Sequence, residues 1–170
     1  MRRLHLTKAS QHTVRPEAGF SLIELLVVVA VILIIAAIAI PNYIQSKMRA
    51  NEASAVQSLR NIATAELVYA TTYGVNFTPG PGLSQLSGNG INPDQNNAGL
   101  IDTVLASGIK QGYAITYTPL TTDAQGNTAT FSVTADPLSP TTGQRHFYTD
   151  QTCVIRQNLS VQAGPTDIPI

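Results

Sequence analysis

One carboxylate stands where a carboxylate is expensive. Glu24 lies in the stretch Phe20 to Ile40, which is otherwise apolar apart from Ser21. An acidic side chain near a bilayer centre costs at least about 2.5–3.5 kcal/mol on insertion scales. Such a group either reaches water at the interface or is matched by a partner, and a passive anchor has no use for it. The other chemistry-bearing residues are sparse. Of three histidines, His5 and His12 fall in the basic front end, and His146 sits in Arg145-His146-Phe147-Tyr148, where it reads as an ordinary strand histidine rather than a base. The sequence contains no HExxH, no P-loop and no GxSxG, so neither an enzyme nor a cofactor is expected. Asp94, Asp102, Asp123, Asp136 and Asp150 are scattered among turn-forming residues and read as turn caps. Cys153 is the single cysteine, which excludes an internal disulfide and a cysteine zinc cluster, and it is expected to be a small buried hydrophobe in a short strand. Tyr43, Tyr69, Tyr73 and Phe77 could be strung into an aromatic relay, but Tyr69 and Tyr73 are four apart, the spacing of ordinary helix-face packing.

The element that must position Glu24 is a membrane span. Leu25 to Ile40 carries no polar side chain, and extension back to Phe20 gives the length of about 20 residues that a bilayer crossing needs. This exceeds the roughly 7–15 apolar residues of a cleaved secretory signal, and no small-x-small site follows it. The run is preceded by Arg2, Arg3, Lys8 and Arg15 against Glu17 alone, the polarity that keeps a leader on the cytoplasmic side. Over the whole chain 10 basic residues balance 10 acidic ones, so bulk charge gives no nucleic-acid signal. Hydropathy alone would allow a plain signal anchor.

Gly19-Phe20-Ser21-Leu22-Ile23-Glu24, the apolar run behind it and Pro41 together resemble the signal of type IV prepilins and type II secretion pseudopilins. The resemblance covers residues 19–43 closely and the remainder in kind. It implies that a membrane prepilin peptidase cuts between Gly19 and Phe20 and that the new amino terminus at Phe20 is methylated. It implies identical subunits as partners in a helical filament, together with inner-membrane assembly machinery and the bilayer. Glu24 would then compensate the α-amino group of a neighbouring subunit and set the register between helices, a pairing favoured in an apolar medium. Pro41 would kink the helix or mark a stretch that melts on assembly; its plainer role would be to end the span. Some pseudopilins bind calcium in C-terminal loops, which makes Asp136 and Asp150 weak candidates in a chain otherwise expected to hold no metal. The disulfide loop frequent in the family cannot form around one cysteine.

Behind the span, Ser46 to Tyr73 is free of glycine and proline. Val56, Leu59, Ile62, Ala63, Tyr69, Ala70 and Tyr73 fall on one helical face, with Glu52, Gln57, Arg60 and Glu66 expected largely off it. The expected organisation is a leader over 1–19, the membrane half of a long helix over 20–40, its amphipathic half over 41–73, a loop with a short helix near 98–107 over 74–111, and an antiparallel sheet region over 112–170. Four strands are expected there, over 113–118, 128–135, 145–149 and 153–156, with a loose tail from 163. The fold class is α+β, a long N-terminal helix packed on a β-meander, pilin-like. The reading that follows is a type IV pilus subunit, inserted in a bacterial inner membrane with its C-terminal domain periplasmic and later displayed in an extracellular pilus. The alternatives are a type II secretion pseudopilin in a periplasmic pseudopilus, or a single-span anchored binding domain that never polymerises. The missing cysteine pair leans toward the pseudopilin; the polar, threonine-rich domain leans toward the pilus.

Overall fold

The computed structural model describes residues 19–80, 82–88 and 92–170. Of the expected leader only Gly19 falls within the described residues. Helix α1 spans Leu22–Tyr73 and runs through Pro41, so the proline does not end it. Pro41 removes one backbone donor, and the helix-favouring sequence on both sides carries the ladder across the gap. Every large apolar side chain from Phe20 to Ile40 is exposed, as a membrane-facing or helix-facing segment requires.

Residues 41–170 form a compact body. Here α1 buries Leu59, Ile62, Ala63 and Tyr69 of the expected face, leaves its Val56, Ala70 and Tyr73 half-buried, and buries Ala55 and Ala65 beside them. Glu66 is a correction: it lies on the buried face, with no exposed surface. It is four residues from Ile62 and three from Tyr69, so helical geometry puts it among them, and charge alone was a poor guide to its facing.

Helix α1 packs on a six-stranded antiparallel sheet whose strands are neighbours in chain order. The strands are β1 (Ile109–Lys110), β2 (Tyr113–Thr122), β3 (Thr128–Pro137), β4 (His146–Asp150), β5 (Arg156–Asn158) and β6 (Ile168–Pro169). In β2 and β3 Ile115 faces Ala135 and Tyr117 faces Val133, and β4 adds Phe147 opposite Ala135. Directly paired residues share a face, so these side chains form one apolar surface against α1. Each large side chain buried this way contributes about 1.5–3 kcal/mol.

The six strands replace the expected four. Strand β1 is joined to β2 by Gln111 and Gly112, both with positive φ, the two-residue turn that suits the twist of a hairpin. The expected strand at 153–156 is instead a turn followed by β5. Cys153 takes a positive φ of 59° in that turn and is exposed, not buried. The expected loose tail is tied down: Ile168 pairs with Gln157, Ala163 is buried, and Asp167 accepts from Asn158 Nδ2 at 3.0 Å and from the Gly164 amide at 2.8 Å. Among the described residues, two short helices lie between α1 and β1. Helix α2 (Leu83–Leu86) was not expected in a glycine- and proline-rich loop; it buries Leu83 and Leu86. Helix α3 (Thr103–Ala106) falls in the expected place, with the Asp102 carboxylate accepting from the Leu105 amide at 2.8 Å as its N-cap.

Candidate processing and assembly site

Gly19 and Phe20 precede α1 and are not helical. Phe20 is 82% exposed. The bond between them thus lies ahead of the helix, where a peptidase can engage it without unwinding a turn. Phe20, Ile23, Glu24, Val27 and Val28 line one strip at the head of the segment, as steps of three and four residues dictate.

Within that strip Glu24 occupies the first turn of α1, and its Oε2 accepts the Ser21 amide at 2.9 Å. A serine at the cap with glutamate three residues on is the spacing of a capping box, and a carboxylate there also complements the positive end of the helix dipole. Glu24 therefore serves its own helix through one oxygen. No other bond to it occurs among the described residues, and a carboxylate has sites for several donors. An ammonium brought against Oε1 by a second chain would meet a carboxylate already fixed in orientation.

The remaining candidates are used locally. Asp136 Oδ1 meets His146 Nδ1 at 2.6 Å, and its Oδ2 accepts Gln162 Nε2 at 2.7 Å, which fastens the C-terminal segment to β3 and β4. That triple was not foreseen: Asp136 and His146 are ten residues apart, and only the β3–β4 register makes them neighbours. Asp150 caps the turn after β4, accepting from both the amide and the hydroxyl of Thr152. Asp150 stands opposite Ser132 and Asp136 lies next to Ala135, which stands opposite Phe147. At about 3.3 Å per residue the two weak calcium candidates are on the order of 13 Å apart and do not converge. Of the aromatic residues, Tyr69 and Tyr73 are in contact, with ring centroids 4.9 Å apart, and Phe77 packs on Phe131 at 4.8 Å. Tyr43 is exposed, apart from these pairs.

Known proteins are similar to this chain over the same N-terminal segment. The prokaryotic N-terminal methylation motif matches residues 14–40. The type IV major pilin protein PilA of Myxococcus xanthus is 50% identical over 48 residues, which is 28% of this chain and 22% of that protein, so the match spans about a fifth of the relative's length. A fimbrial protein of Pseudomonas aeruginosa is 33% identical over 115 residues, which is 59% of this chain and 75% of that protein. The chain belongs to the type IV pilin family. As a pilin it is a structural subunit of a pilus. The Pseudomonas match extends well beyond the apolar segment, so the likeness is not that of a shared membrane anchor alone.

Proposed function

We propose that this pilin is made as a precursor whose residues 1–19 are a leader retained on the cytoplasmic side, with residues 41–170 outside the inner membrane. A prepilin peptidase cuts between Gly19 and Phe20, the new amino group at Phe20 is methylated, and identical copies polymerise through α1 into an extracellular pilus, handled by inner-membrane assembly machinery. Glu24 compensates the Phe20 amine of a neighbouring copy and fixes the register of one helix on the next. The observation that carries this reading is the methylation motif over 14–40 falling on a bond that is exposed and non-helical, one turn ahead of a carboxylate of which one oxygen has no bond among the described residues.

The experiment is the intact mass and N-terminal peptide of the chain in material sheared from cells, beside the membrane fraction. A methylated Phe20 start in the sheared material is the expected result. The same start confined to membranes would refute the extracellular filament, and an intact leader would refute processing altogether.

A further inference from the structure

Glu66 is a buried acid that neither processing nor the assembly site uses. It has no exposed surface. Its Oε2 accepts the Thr78 amide at 2.9 Å, while its Oε1 and the Thr78 hydroxyl have no partner among the described residues. Tyr117 of β2 donates to the Thr78 carbonyl at 2.8 Å, and Tyr69 of α1 donates to the Gln95 carbonyl at 2.9 Å. The segment between α1 and α3 is thus held at two points: at the buried Thr78 by Glu66 and Tyr117, and at the exposed Gln95 by Tyr69. The ionisable groups around Glu66 are Tyr69 and Tyr73 on its own helix, Tyr117 from β2, and Asp94 from the connecting segment, which acts through Tyr69. None is a cation. The ion pairs among the described residues, Lys110–Asp102, Arg145–Glu52 and His146–Asp136, all lie elsewhere.

A buried carboxylate in this setting would carry an uncompensated charge and one unmatched oxygen, whereas a carboxylic acid gains a donor to offer. We propose that Glu66 is carried as the neutral acid, and that loss of its proton leaves a buried charge with no cation beside it, which the connecting segment must lift away to hydrate, so that deprotonation releases that segment before the sheet opens. Burial raises the pKa of Glu66 above its ordinary 4.5, outweighing the hydrogen bond from the Thr78 amide and the nearby hydroxyls of Thr78 and Tyr117, which act to lower it. The native chain therefore holds this proton over a pH range in which the unfolded chain has lost it. Its contribution to stability is complete below about 4.5 and is lost as pH rises through the raised value. The tyrosines do not supply the effect, because burial pushes both Tyr69 and Tyr117 upward, away from neutral pH.

The test uses the processed full chain in detergent, unaltered and as Glu66→Gln, from pH 5 to 9. The unfolding constant of the unaltered chain, divided by that of E66Q, is expected to rise by up to about tenfold per pH unit before levelling. Protection of the Thr78 and Ala98 amides against exchange is expected to fall at lower pH than protection in β3. Infrared absorption of a protonated carboxyl group is expected at pH 7 in the unaltered chain and not in E66Q. Parallel stability profiles, or no such absorption at pH 7, overturn the proposal. Where E66Q does not fold, the infrared band and the order of amide release in the unaltered chain decide alone.

Discussion

At the scale of single residues, the cap that Glu24 makes and the pairing proposed for it can be separated. One oxygen binds the Ser21 amide and caps α1; the proposed pairing would use the carboxylate charge toward an amine on another chain. Glu24→Gln keeps an acceptor at that position and removes the charge, while Glu24→Ala removes both. The cap contributes about 1 kcal/mol to a long helix that the bilayer also supports, so its loss alone is tolerable. If charge sets the register, both variants are cut after Gly19 at the normal extent and neither yields sheared filaments. Leader cleavage by mass and pili by electron microscopy check this. Normal filaments from E24Q would show that the cap, not the charge, is what assembly needs.

At the scale of elements, the connecting segment is shaped by one close approach. Gly82 has a φ of +49°, and a Cβ built on it would overlap the ring of Tyr117. That ring is stacked on Phe131 at 5.5 Å and its hydroxyl is bound to Thr78, so it has nowhere to retreat. Gly82→Ala is expected to cost about 3 kcal/mol, from a strained backbone and an overfilled contact together, read as a shift in the denaturation midpoint. A loss under about 0.5 kcal/mol would mean that the segment is not held against β2. The same region shows what the sequence could and could not convey. The face of α1, the β2–β3 hairpin and the helix near 103 were legible because periodicity and turn residues are local signals. Helix α2, the shift of the fourth expected strand to β5, and the pairing of Ile168 with Gln157 were not, because each depends on a partner distant in the chain. Glu66 was misassigned and Asp136–His146 was missed for the same reason: a charged residue is placed by whatever covers it, and that cover arrives through tertiary register. The expected cleavage bond and Glu24 rest instead on a contiguous signal, from Gly19 to Glu24, which needs no distant partner to be read.

At the scale of the whole molecule, the chain is divided between two solvents. The window of α1 with span-like hydropathy has none of its residues buried within the chain, whereas residues 41–170 enclose a core built on Tyr69, Tyr113, Phe131 and Phe147. Each large aliphatic side chain withdrawn from water gains about 1.5–3 kcal/mol, so the exposed run from Leu22 to Ile40 has a strong drive to find lipid or other helices. None of that drive is needed to fold the rest, because the sheet and the buried face of α1 beginning at Asn51 lie wholly within residues 41–170. A chain beginning at Pro41 is therefore expected to be a folded monomer in detergent-free buffer, with the sheet-rich circular dichroism and a cooperative thermal transition. The processed chain from Phe20 is expected to require detergent or to form polymers. Light scattering after size-exclusion chromatography distinguishes these states. Aggregation of the chain from Pro41 would mean that the apolar half of the helix also stabilises the domain. A monomeric, detergent-free chain from Phe20 would mean that the exposed run is covered by this chain itself, and would remove the physical reason for polymerising through α1.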